Sequence, residues 1–98
     1  MNITSKQRSV LKGIAMTEDA IFQIGRNGLS DEYIEAIAEA LEKRELVKIH
    51  VLKNNDDDKN ELANAIAERT GSLVVQVIGS KIVLFKYQHD PKKRKIDI

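Results

Sequence analysis

The 98-residue chain has no cysteine and no tryptophan, and only one proline, five glycines, two phenylalanines and two tyrosines. Lack of cysteine excludes a disulfide, a thiolate zinc site and a cysteine nucleophile. Scarcity of aromatics makes the core aliphatic and leaves few rings free to stack on a base. No apolar run approaches the roughly 20 residues of a membrane span. Lys6, Arg8 and Lys12 interrupt the first apolar residues, which does not fit a signal peptide. A soluble cytoplasmic protein is the expectation, with no membrane partner. Histidine is equally scarce: His50 falls in a strand-like run and His89 near the end. No nucleophile elbow of the form G-x-S-x-G is present. The sequence therefore offers no catalytic residue, no resident cofactor and no metal site. Asp56-Asp57-Asp58 could hold a hydrated cation, but also fits the capped, positive end of the helix that follows.

The net charge is only +1, but it is unevenly spread. Residues 1–30 carry four basic side chains against two acidic ones, residues 31–71 six against eleven, and residues 72–98 six against two. Basic ends that meet in space would attract a polyanion, with the acidic middle facing away. The same acids also serve simply to solvate two helices.

What remains is strongly patterned. Thr4 and Gln7 fit a capping box ahead of Val10, Leu11, Ile14 and Ala15, predicting a helix over about 5–16. Ala20 to Ile24 reads as a short buried strand ended by Gly25. Ser30 is a suitable N-cap for a helix with Ile34, Ile37, Ala38 and Leu41 on one face. Leu46 to Leu52 reads as a strand with Val47, Ile49 and Val51 on one face and Lys48 and His50 interrupting the other. Asp58 and Glu61 suggest a second capping box before Leu62, Ala63, Ile66 and Ala67, and Gly71 stands at the C-cap position. Leu73–Ile78 and Lys81–Tyr87, joined by Gly79-Ser80, form a hairpin with a glycine-first turn.

The fold class is thus α/β: one compact domain in α-β-α-β-α-β-β order, with three helices and a four-stranded mixed sheet. The two β-α-β crossovers predict that the first three strands run parallel. The domain spans 1–87. Residues 88–98, with little to bury, are expected to form a basic mobile tail containing Lys92, Lys93, Arg94 and Lys95. That tail could act as an import signal, as an arm on RNA phosphates, or as plain solvation.

Gly25-Arg26-Asn27-Gly28 lies between the first strand and the second helix. It is not a P-loop, since the spacing is short and Leu29 stands where the lysine belongs. Glycine there lets backbone N–H groups approach a phosphate, and Arg26 can fork onto phosphate oxygens. Asp31 and Glu32 already occupy the following helix end, so the helix dipole adds little for an anion. Taken alone, the tetrapeptide also reads as a turn.

These pieces together resemble the stand-alone bacterial CRM-domain (YhbY-like) proteins over about residues 3–87. The resemblance is carried by Thr4-Ser5-Lys6-Gln7-Arg8 with Leu11-Lys12-Gly13, by Gln23-Ile24-Gly25-Arg26-Asn27-Gly28-Leu29, by Glu45-Leu46-Val47-Lys48, and by Val75-Gln76-Val77-Ile78-Gly79 with Leu84-Phe85-Lys86. It implies a fold similar to the C-terminal domain of translation initiation factor three. It also implies a protein that binds ribosomal RNA in the precursor of the large subunit; with no catalytic constellation in the sequence, a non-enzymatic monomer is expected. The RNA contacts that the resemblance implies are Gly25, Arg26, Asn27 and Gly28, extended by Lys6, Arg8 and Lys12; the tail, Lys92 to Lys95, lies outside the family core and is expected to add only non-specific attraction. Two departures stand out. Ala20 replaces a proline common in that family, and Glu18 and Asp19 make the approach to the loop acidic. The alternative is a module that docks on a protein through its acidic helices.

Overall fold

Thr4 caps the first helix as the sequence implies. Its hydroxyl accepts from the Gln7 N–H and the Gln7 side chain returns the bond to the Thr4 N–H, closing the box that starts α1 (Ser5–Met16). The computed structural model describes residues 2–98. After α1 come β1 (Phe22–Ile24), α2 (Asp31–Arg44), β2 (Leu46–Val51), α3 (Lys59–Thr70), β3 (Leu73–Ile78), β4 (Lys81–Phe85) and a short 3-10 turn at Pro91–Lys93. The predicted element order is therefore found in full. β1 begins at Phe22 rather than Ala20, although the Ile21 N–H still donates to the Lys48 carbonyl. Asp58 caps α3 by accepting from the N–H groups of Asn60 and Glu61. Gly71 at φ +68° and Gly79 at φ +56° supply the left-handed backbone that a helix C-cap and a two-residue hairpin require.

The sheet order is β1-β2-β4-β3. β1 and β2 pair in parallel, and β4 is antiparallel to both β2 and β3. The first three strands thus point the same way, as the crossovers require, but β4 separates β2 from β3. One face buries Ile24, Val47, Ile49, Val51, Ile82 and Leu84 beneath α2 and α3. The other packs Leu46, Val75, Val83 and Phe85 against Leu11 and Ala15 of α1. The strict alternation along β2 and β4 is what feeds two cores from one sheet.

Three polar devices hold the α1 face. Between Val74 and Gln76 the β3 register slips by one, so Val75 is an extra residue opposite β4. The Arg8 guanidinium donates to the Val74 and Val75 carbonyls at 2.8 and 2.6 Å, satisfying backbone that the bulge frees. Lys48 of β2 donates to the Ala15 and Glu18 carbonyls and so supplies the cation that the last turn of α1 lacks. Arg8→Met keeps the aliphatic stem and removes the donors. It is expected to cost about 1–2 kcal/mol, read as a fall in the thermal midpoint.

The third device is Glu45. It follows α2 with φ +66°, a left-handed position held by a non-glycine residue, and is 1% exposed. Its carboxylate accepts from the N–H groups of Gln88, Lys95 and Ile96 at 3.3, 2.5 and 3.1 Å. Its carbonyl accepts from the Lys86 N–H. Residues 88–98, expected to bury little, therefore fold back. Ile96 and Ile98 pack on the α1-side core beside Tyr87, and Arg94 stacks over the Tyr87 ring, 4.9 Å from its centroid. The two isoleucines interleaved with charges are what the compositional reading of a basic tail undervalued.

Candidate nucleic-acid interface

β1 ends at Ile24, where the Leu52 N–H donates to the Ile24 carbonyl. The chain then turns: the Gly28 N–H donates to the Gly25 carbonyl at 3.1 Å, closing a four-residue turn that places Arg26 and Asn27 in solvent. The two glycines differ in how firmly the fold asks for them. Gly28 sits at φ +68°, which side chains resist. At Gly25 a Cβ would come within 3.3 Å of the Asn54 side chain. Asn55 staples the turn from the neighbouring loop, donating to the Gly25 carbonyl at 2.9 Å and to the Asp57 carboxylate at 3.2 Å. The turn is thus held by the β2–α3 connection rather than left loose.

On the outer edge of β1, the Gln23 N–H donates to the Tyr33 hydroxyl at 2.7 Å, and that hydroxyl donates to the Gln23 carbonyl. Phe22 and Tyr33 meet edge to face. This blocks the free edge of β1 and fixes the strand that carries the loop. At α2, Ser30 accepts the Tyr33 N–H, and Asp31 and Glu32 fill the first turn. An anion at the loop therefore relies on Arg26 and on loop backbone.

The ion pairs among the described residues are Arg69–Asp31 at 2.6 Å and Lys86–Glu42 at 3.0 Å. Neither uses Arg26, Lys6 or Lys12, all of which are exposed. Arg8 differs from its neighbours, because two backbone carbonyls of β3 hold its guanidinium. Lys6 lies at the N-terminal end of α1, sharing a groove with Asp97 and Ile98. The two chain ends do meet. Lys92 and Lys93 are exposed in the 3-10 turn, and Arg94 and Lys95 follow.

These cations do not converge on the loop. The tail lies by Leu46 and Phe85, whereas the loop follows Ile24 beside Val51. Those are opposite ends of β2, about 17 Å apart for a six-residue strand. Lys12, toward the other end of α1, is on the loop side. With Lys48, Lys81, Met16, Ile78 and Gln76 it lines a groove of about 230 Å³. In the sequence Lys81 is marked only by its charge. The alternation in β2, with Lys48 and His50 on one face, was the available signal that this half of the sheet is not simply core. Among the described residues no three His, Asp or Glu side chains come together as metal ligands, and no helix is long and apolar enough to cross a membrane.

Together these features define a small α/β domain that presents a glycine-bracketed, arginine-bearing turn at one end of a mixed sheet. The chain belongs to the CRS1/YhbY (CRM) domain family, which it matches over residues 3–86. It is 44% identical over 91 residues to a Bacillus subtilis protein named "Probable RNA-binding protein YqeI", covering 93% of this chain and 95% of that one. A Haemophilus influenzae protein named "RNA-binding protein" is 32% identical over 90 residues, covering 92% and 91%. The solution structure of the hypothetical protein SAV1595 from Staphylococcus aureus matches with a TM-score of 0.79 and 45% identity, covering 98% of this chain and all of that one.

Proposed function

We propose that this chain is a non-enzymatic RNA-binding protein that acts as a monomer and grips phosphates through the Gly25–Gly28 turn. The observation that carries the reading is the turn itself. Arg26 is exposed and, among the described residues, free of ion pairs, between two glycines that keep Cβ atoms off the approach to the backbone. Full-length likeness to relatives named for RNA binding supports RNA as the polyanion. Lys12 extends the surface on the same side, and Lys6 with the Lys92–Lys95 segment offers a second, separate cationic end. Arg8 contributes through the sheet it braces rather than through a free guanidinium. The finer reading is that the RNA is ribosomal and belongs to the large-subunit precursor, as the CRM resemblance implies. Backbone and shape recognition dominate, because few rings are free.

A salt titration tests this. If about five phosphates are neutralised on single-stranded RNA, log affinity falls against log salt with a slope near −3.5. An affinity that does not respond to salt would sink the proposal. The rival reading, docking on a protein through the acidic helices, makes the opposite demand. Reversing the exposed Glu35 and Glu39 would then abolish binding while Arg26→Glu left it intact.

A further inference from the structure

The half of the sheet nearest the loop is left open on the α1 side. α1 covers Leu46, Val75, Val83 and Phe85, the end away from the loop. Toward the loop, one row crosses all four strands: Gln23 pairs with His50, His50 with Lys81, and Lys81 with Ile78. With strands about 4.8 Å apart the row is roughly 14 Å long. Its neighbours in sequence, Ile24, Ile49, Val51, Ile82 and Val77, serve the opposite core, so alternation aims the row away from α2 and α3. Gln23 is exposed, His50 and Lys81 are half-buried, and Ile78 is 59% exposed. Beside the row stands Met16 of α1, 81% exposed. The side chains of Gln23, His50 and Lys81 make no hydrogen bond or ion pair among the described residues. The row carries no carboxylate; Glu18, which precedes β1, lies instead in a groove with Arg44, Leu46 and Lys95 at the other end of β2.

We propose that this row is a second RNA subsite, a platform for one or two unpaired nucleobases of the strand whose phosphates the loop holds. The proposal rests on the RNA reading above and names what lies beyond the loop. A base needs a flat or apolar surface, a donor or acceptor for its edge, and a cation for its phosphate. His50 offers an imidazole plane, Ile78 and Met16 offer apolar cover, Gln23 offers an amide, and Lys81 and Lys12 offer charge. The loop starts one residue after Ile24, beside this row, so a strand leaving Arg26 meets Gln23 first. A protein partner fits less well, because the apolar atoms are scattered between lysines rather than gathered into a patch.

The test compares fluorescently labelled oligouridines of four and eight nucleotides, bound at fixed salt and read by anisotropy. A loop of this kind accounts for about four nucleotides, so the tetramer reads the loop and the octamer reads loop and row. The double variant His50→Ala, Lys81→Gln is expected to lower octamer affinity about tenfold and leave the tetramer unchanged. Arg26→Glu should weaken both. Equal octamer affinity for wild type and the double variant would overturn the platform while leaving the loop reading intact. So would a loss shared equally by the tetramer. Absence of binding by the wild type to either oligomer would overturn both. All the altered side chains reach the surface, and an unchanged thermal midpoint confirms the fold.

Discussion

Arg26→Glu is expected to weaken RNA binding about thirtyfold at moderate salt, equivalent to ~2 kcal/mol, without moving the thermal midpoint. Arg26 is exposed and makes no ion pair among the described residues, so the folded domain does not depend on it. In the proposed function its worth lies in charge-assisted hydrogen bonds to phosphate, which are stronger than neutral ones. Glutamate removes them and adds a repelling charge beside Asp57, already close to Gly28. The salt slope should also become shallower by about 0.7 for each phosphate no longer neutralised. Arg26→Lys separates charge from shape: it keeps the cation, loses the planar fork, and should fall between the two. Titration of a labelled RNA at several salt concentrations gives both quantities. Wild-type affinity and slope in Arg26→Glu would remove the loop from the interface.

The second large effect is on stability. Glu45→Ala is expected to cost about 3 kcal/mol and to release the C-terminal segment. The carboxylate is buried and is the partner of three backbone N–H groups, at Gln88, Lys95 and Ile96. Hydrogen bonds to a charged group contribute about 1.5–3 kcal/mol each, and leaving several donors without a partner adds to the loss. Relief is available, because the freed segment can detach and hydrate its N–H groups. Chemical denaturation reads the first effect and limited proteolysis within 88–98 the second. Glu45→Gln, which keeps acceptor oxygen at the site, should lose less than alanine. Glu45→Gly relieves the left-handed backbone at φ +66° but loses the same acceptors, so it should also release the segment. A protease-resistant tail in Glu45→Ala would show that Ile96 and Ile98 suffice to hold it.

What the sequence revealed and what it concealed divide along one physical line. Features set by neighbours in the chain were legible: the Thr4–Gln7 box, the left-handed glycines at 71 and 79, the alternation in β2, and the turn at Gly25–Gly28. Features set by distant partners were not. The Arg8 contact to Val74 and Val75 spans 66 or more positions and depends on a bulge that no local pattern announces. Glu45 carries no mark in sequence, since its partners lie more than 40 residues away. The insertion of β4 between β2 and β3 is equally invisible, because crossover handedness fixes direction but not neighbour. For the candidate site, the loop could be read from its glycines, and the resemblance indicated a ligand. The Gln23–His50–Lys81–Ile78 row needed the register of all four strands.

That insertion orders events in time. β4 is the last strand made, yet it is the one that joins β3 to the β1–β2 pair. Before Lys81–Phe85 is available, two parallel strands and a lone third have no common partner, and both apolar faces lack their centre. Pairings that close loops of this length carry an entropic cost before they return any contact, so they slow folding. Until the hairpin at Gly79-Ser80 closes, the four-stranded sheet is therefore incomplete. The same hairpin braces the Gly25–Gly28 turn, since the Ser80 carbonyl accepts the Val51 N–H one residue before Leu52 bonds Ile24. Closing that hairpin thus completes the sheet and, in the same step, fixes the strand ends from which the Gly25–Gly28 turn is hung.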